Sequence, residues 1–188
     1  GNFDEENLVG RNICYGVREH AMGAIANGLT LAGMRGFGGG FLVFSDYMKP
    51  AIRLAALMQI PTLFVFSHNS PLVGEDGPTH QPIEQLTMLR SIPNNYLYRP
   101  CDANELKVAW KQSLLSVDHP RCIILSRQAL PLQKESCLEG VARGGYVISK
   151  EKGEKPEFTI IATGSEVALA VEAQKALYEQ GYDVRVVS

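Results

Sequence analysis

The sequence predicts an α/β fold: a mostly parallel sheet flanked by helices, followed by an incomplete βαβ unit. Three observations carry that expectation. Short apolar runs alternate with stretches of helical length, the pattern of strands joined by crossover helices. Ionisable and aromatic residues gather where the apolar runs end rather than inside them. The 188 residues, 45% apolar and 20% charged, suffice for one α/β domain and part of another.

Taken in order, Asn12 to Val17 reads as a strand and His20 to Gly33 as a helix that stops at glycine. That helix carries Ala21, Gly23, Ala24, Ala26 and Gly28, small residues that let a neighbouring element or a second subunit come close. Gly36, Gly38, Gly39 and Gly40 read as the lead-in to a strand at Phe41 to Ser45, so they are no dinucleotide fingerprint. Tyr47 to Gln59 is the next helix and Thr62 to Ser67 a buried strand, followed by a polar loop from His68 to Gln81. Pro82 to Arg90 has the look of a helix with proline in its first turn, where a missing N–H costs nothing. Tyr96 to Arg99 is a strand. Asp102 caps a helix running to Leu115, with Glu105 three residues on in a capping-box arrangement. Cys122 to Ser126 is the last strand of this part.

Residues 132–156 are polar and hold the charge run Lys150-Glu151-Lys152-Gly153-Glu154-Lys155, which reads as a solvated linker or hairpin tip. A second unit follows. Its strands are Phe158 to Ala162 and Asp183 to Val187, around a helix that opens at Gly164-Ser165 and stops at Gly181. Two strands and one helix do not bury a core alone, so 157–188 is expected to be the beginning of a domain and 1–131 the main one.

A net charge of -2 offers no basic footprint for nucleic acid or an anionic membrane. No apolar run approaches the length of a membrane span. Cys14, Cys101, Cys122 and Cys137 are too scattered for a metal site. Cys14 and Cys122 lie in apolar runs and read as reduced core thiols, which implies a reducing compartment, the cytosol.

In open parallel sheets a ligand lies beyond the carboxyl ends of the strands. Those positions hold Arg18-Glu19-His20, Ser45-Asp46-Tyr47, His68, the loop Gly74 to His80, and Arg127. Each has a plain alternative. Glu19 at a strand-to-helix junction is also a favourable charge at a helix N-terminus. Phe41, Phe44 and Tyr47 recur at three-residue spacing and suit core packing as well as a ligand platform. His68 and His80 bracket an acidic loop, but their spacing matches no zinc pattern. Gly74, Gly77 and Pro78 are turn residues, which leaves Asp76 and His80 among them unexplained.

Four segments resemble the transketolases, in order and over nearly the whole chain. They are Gly74 to Glu84 (Gly-Glu-Asp-Gly-Pro-Thr-His-Gln-Pro-Ile-Glu), Gly16 to Ile25, Leu125 to Pro131, and Ala162 to Glu166. The resemblance implies a pyrimidine-binding domain whose first strand precedes residue 1, then the start of the family's C-terminal domain. It implies thiamine diphosphate anchored by magnesium, with the metal ligands outside this chain. The implied reaction moves a two-carbon ketol unit from a ketose phosphate to an aldose phosphate, in the pentose phosphate pathway. The implied partner is a second subunit: the cofactor lies between the pyrimidine domain of one and the diphosphate domain of the other, so the isolated chain should be inactive.

By the same resemblance Glu19 would hydrogen-bond the aminopyrimidine ring and favour its imino tautomer. Phe41, Phe44 and Tyr47 would pocket that ring. His68 and Arg127 would bind the sugar phosphate, and Asp76 a donor hydroxyl. His80 would transfer or orient a proton near the reacting carbons. Dihydroxyacetone synthase, which shares these motifs, is the nearest alternative. A non-catalytic subunit that only dimerises, or pairs with a separate chain, is the alternative of another class.

Overall fold

A run of glycines forms the first strand of the larger sheet. The computed structural model describes residues 1–188, the side chains of Pro71 and Leu72 excepted. Its four parallel strands are β1 (Phe37–Phe41), β2 (Leu63–Ser67), β3 (Tyr96–Tyr98) and β4 (Arg121–Ile124), in the order β1-β2-β4-β3. Helices α1 (Glu19–Leu31), α2 (Ser45–Met58), α3 (Gln85–Arg90) and α4 (Ala103–Leu115) cover it. Side chains alternate across a strand, and β2 uses both faces. Phe64 and Phe66 pack with Leu42, Met48, Ile52 and Leu89, while Leu63 packs with Ala109 and Ile123 on the other side. Burying each such side chain stabilises by ~1.5–3 kcal/mol.

The strand expected at Phe41 to Ser45 lies four residues earlier. Phe37 to Phe41 pairs residue for residue with Leu63 to Ser67, and Leu42–Phe44 is a 3-10 turn leading into α2. At Gly36 and Gly38 a side chain would meet α1, which crosses close behind. A Cβ on Gly36 would lie 2.5 Å from the Ala26 carbonyl oxygen, and one on Gly38 3.2 Å from Met22 Cγ. The small residues of α1 serve the same end against α2: a Cβ on Gly23 would sit 2.9 Å from that of Ala51, and Asn27 Nδ2 donates to Ala51 O at 2.8 Å.

Asn12 to Val17 is not a strand. Asn12 makes one isolated bridge to Asn2, and no neighbouring ladder supports the rest of the run. Cys14 is accordingly exposed rather than core, whereas Cys122 is buried and its thiol is pushed up to about 12 by that burial. All four cysteines are free. Pro82 stands outside α3, which starts at Gln85.

The second sheet has the order β5-β7-β6, from β5 (Val147–Ser149), β6 (Phe158–Ile161) and β7 (Val184–Val187). β6 and β7 are parallel, as expected for a βαβ unit around α6 (Glu166–Glu179), but β5 joins antiparallel. Residues 132–156, expected as a linker, therefore contain β5 and a short helix α5 (Leu138–Ala142). Ile148 of β5 closes the small core with Val167, Ala170 and Val186, so the tertiary pairing drew part of a polar stretch into the sheet.

The two units meet at buried polar contacts. Glu105 is 5% exposed; its Oε1 accepts from the Tyr146 hydroxyl at 2.9 Å and the Ser188 hydroxyl at 2.7 Å. Arg99 donates to Thr163 Oγ1 at 3.0 Å and pairs with Glu166. Among the described residues no helix is long and apolar enough to cross a membrane.

Candidate functional site

Register decides which loops meet. Phe41, the last residue of β1, lies opposite Ser67, the last of β2, and Phe66 lies opposite Ile124, the last of β4. Phe41, His68 and the stretch Leu125 to Arg127 thus leave adjacent strands at one carboxyl edge. Asn69 N–H donates to Leu125 O at 3.0 Å and ties two of these exits together. His68 holds φ 60°, left-handed backbone that a non-glycine residue adopts at a cost of order 1 kcal/mol.

That turn lays the His68 imidazole flat on Phe41, ring centroids 3.7 Å apart and planes 22° apart. Phe44 stacks beyond Phe41 at 6.2 Å, and Tyr47 follows at 6.3 Å from Phe44. The three-residue spacing puts these rings together because a 3-10 turn, not a strand, carries Phe44. His80 comes from the other side, edge-on to Phe44 at 5.2 Å and to Phe41 at 6.0 Å. Five predicted residues form one ring cluster. Both histidines have Nδ1 engaged by the preceding hydroxyl, Ser67 Oγ at 2.9 Å and Thr79 Oγ1 at 2.8 Å. Among the described residues, Nε2 of each is left as the atom that can serve a bound molecule.

The loop carrying His80 is shaped by Gly74 and Gly77, at φ 68° and 73°, and by a 3-10 turn over Pro71–Asp76 with Val73 buried beneath it. It lies against Arg127, whose Nη2 donates to Glu75 Oε1 at 2.6 Å and whose Nε stands 3.9 Å from Asp76 Oδ2. Asp76 Oδ2 is buried and has no hydrogen-bond partner among the described residues. Arg127 and Asp76 are thereby brought together. His68 and Arg127 follow the adjacent strands β2 and β4, and Arg127 is held by Glu75.

Glu19 begins α1 and is half-buried. Helix and strand run antiparallel: Gly36 faces Ala26, and Gly38 faces Met22. Continuing that progression brings Glu19 to about the level of Gly40, next to Phe41 and toward the edge that holds the ring cluster. Two participants escaped the sequence reading. Glu75 holds Arg127, and Gln85 reaches Asp46. The spacing of charges around Gly74 offered a hint of the first; nothing in the sequence marked the second. A cavity of about 490 Å³ lies away from this edge, between the units, with Arg99, Tyr98, Glu105, Arg121 and Tyr146 in its wall.

The carboxyl-edge cluster occurs within a known domain pair. Residues 2–133 match the family model of the transketolase pyrimidine binding domain, and residues 144–188 that of the transketolase-like C-terminal domain. The chain belongs to the transketolase family. It is 54% identical to the transketolase of Bacillus subtilis and 51% to that of Aquifex aeolicus, in each case over the whole chain. It spans about 29% and 28% of their lengths. A transketolase of Pichia stipitis, solved in complex with sedoheptulose-7-phosphate, superposes with a TM-score of 0.94 at 44% identity, covering all of this chain and 28% of that one. The Leishmania mexicana transketolase gives 0.95 at 45%, covering 100% and 28%. A split-gene transketolase described as an inactive β4 tetramer gives 0.77 at 27% identity, over 93% of this chain and 55% of that one.

Proposed function

We propose that this chain supplies the pyrimidine-side half of a transketolase site, in a protein that transfers a two-carbon ketol unit from a ketose phosphate to an aldose phosphate. The observation that carries the reading is the cluster of Phe41, Phe44, Tyr47, His68 and His80 at the carboxyl edge. A platform of flat apolar rings rimmed by imidazole nitrogens fits a heteroaromatic ring such as the aminopyrimidine of thiamine diphosphate. Family membership points the same way, and so does the sugar-phosphate complex of the Pichia stipitis relative.

Bound thiamine diphosphate supplies a nucleophilic carbon that carries the two-carbon unit; its diphosphate and magnesium would be held outside this chain. Glu19 would accept a hydrogen bond from the pyrimidine and set its tautomer, from the half-buried start of α1. Phe41, Phe44 and Tyr47 would hold the ring flat. His80 would hold or move a proton beside the reacting carbons, through the nitrogen that Thr79 leaves open. Asp76, whose buried Oδ2 accepts no hydrogen bond among the described residues, would receive a donor hydroxyl. Arg127 and His68 would receive the phosphate, with Arg127 first released by Glu75. We place the protein in the pentose phosphate pathway, in the cytoplasm, as a homodimer whose second subunit completes each site.

The test is Glu19→Ala in the full-length protein. Turnover should fall by several orders of magnitude while cofactor binding and folding are largely kept. If Glu19 is only a helix-end charge, its loss should cost ~0.3–1 kcal/mol of stability and leave turnover intact, and the reading fails.

The split-gene relative supports a second reading, a subunit that needs a separate chain for activity. The intact mass of the source protein separates the two: a single chain several times longer supports the first, and one no more than about twice this size, as in the split-gene relative, the second.

A further inference from the structure

Gln85, the first residue of α3, is 2% exposed, yet neither of its amide functions serves its own helix. Oε1 accepts from Ile83 N–H at 2.9 Å, and Nε2 donates to both carboxylate oxygens of Asp46, at 3.2 and 3.1 Å. Asp46 sits in the first turn of α2, between Phe44 and Tyr47. Ile83 closes the loop that carries His80. One side chain therefore joins the end of that loop to the turn that carries the aromatic platform, across 39 residues of sequence.

The chemistry of the pair is restrictive. A buried first-turn position with no such task is served as well by an apolar residue, since a buried amide costs free energy unless both functions are satisfied. Here both are, and the bond to Asp46 is charge-assisted and therefore strong and directional. An amide is also required: a carboxylate in place of the Gln85 amide could accept from Ile83 but would set its second oxygen against the Asp46 carboxylate. The first half of the loop has its own attachments, through buried Val73 and the Glu75–Arg127 pair. The second half, Gly77 to Pro82, is turned by the Gly77 N–H bond to Gly74 O and the His80 N–H bond to Gly77 O, each 3.0 Å. Its position over the platform rests on the edge-on ring contacts of His80, which orient weakly, and on the Gln85 bond to Ile83 at its end.

We propose that Gln85 and Asp46 form a positioning pair that fixes His80 over the Phe41–Phe44 platform. The proposal rests on the transketolase reading for its effect on turnover; its effect on the loop does not depend on that reading.

The experiment uses the full-length protein in four forms: parent, Gln85→Met, Gln85→Glu, and the reciprocal swap Gln85→Glu with Asp46→Asn. The swap restores a donor opposite an acceptor, and the introduced carboxylate keeps an oxygen that can accept from Ile83 N–H. Amide hydrogen exchange reads the loop, and steady-state kinetics read turnover. In Gln85→Met, exchange in residues 77–84 should quicken by roughly tenfold or more with β2 and β4 unchanged, because only the local opening free energy falls. Its kcat should drop about ten- to a hundredfold with KM nearly constant, as expected when a group near the chemistry is misplaced by about an ångström. Gln85→Glu should be at least as impaired, and the swap should return both readouts to within about threefold of the parent, the signature of a direct pairwise interaction. Unchanged loop exchange in Gln85→Met, or a swap no better than Gln85→Glu, overturns the proposal. A parent with no turnover, together with the expected exchange pattern, overturns the transketolase reading and upholds the pair.

Discussion

Arg127 concentrates the substrate question in one side chain. Its guanidinium is tied to Glu75 and stands 3.9 Å from Asp76, so a phosphate must outcompete a carboxylate to reach it. The pair is largely exposed, at 43% and 73% for the two side chains, which keeps that competition mild. A charged hydrogen bond contributes ~1.5–3 kcal/mol, so Arg127→Ala should reduce use of a phosphorylated substrate by about ten- to a hundredfold. The loss should fall on KM, because a phosphate remote from the reacting carbons is held equally in ground and transition states. An unphosphorylated aldehyde should react equally well in both proteins. Matched kinetics on the two substrate types decide the point; equal losses on both would make Arg127 a structural residue. A parent that prefers unphosphorylated acceptors would move the reading toward dihydroxyacetone synthase.

Among the elements, α4 carries the sheet edge that the second unit leans on, and its start is set by a few local residues. Asp102 Oδ1 accepts from Glu105 N–H at 2.9 Å, as the capping pattern anticipates. Its other oxygen accepts from Gln133 N–H at 3.0 Å, a contact across 31 residues that the local pattern does not contain. Asp102→Ala would remove the partner of both amides, the buried one of Glu105 and the half-buried one of Gln133. Loss of the cap costs ~0.5–2 kcal/mol and an orphaned buried amide ~1–3 kcal/mol. Denaturant unfolding should register about 2–4 kcal/mol between the two forms. A difference at the low end of the cap value alone would mean that the Gln133 contact contributes nothing.

Over the whole molecule, the junction between the two units is polar and sensitive to acid. Arg99, its side chain 8% exposed, pairs with Glu166 of α6. Burial is the largest single influence on Glu166 and pushes its carboxyl up, but the Arg99 and Ser165 hydrogen bonds together outweigh it and hold the group below its ordinary value. A carboxylate lowered on folding contributes stability above its unfolded pKa of about 4.3 and loses it as pH falls through the folded value. Glu166→Gln should therefore be less stable than the parent near pH 6, and the difference should fade as pH falls through the folded value. With Glu166 43% exposed the effect is modest. Paired denaturation curves across that window test it, and a difference independent of pH would assign the loss to packing rather than charge.

The sequence by itself determined whatever depends on neighbours along the chain. The alternation of apolar runs yields a parallel sheet with β2, β3 and β4 near their expected places, the Asp102–Glu105 spacing yields the start of α4, and Gly33 and Gly181, at φ 83° and 92°, end their helices as glycine does. It also placed His68 and Arg127 at strand ends, and strand ends in a parallel sheet share one edge; Phe41, expected to open its strand, closes it instead. Tertiary structure decided what depends on partners far along the chain. Glycines 38 to 40 form a strand because β2 supplies the hydrogen bonds, with α1 close against Gly36 and Gly38, whereas Asn12 to Val17 is not one for want of a neighbour. β5 arises in a polar stretch because β7 offers a free edge. Gln85 meets Asp46 only because α2 and α3 begin side by side, and a hydrogen bond between side chains 39 residues apart leaves no periodicity in a sequence.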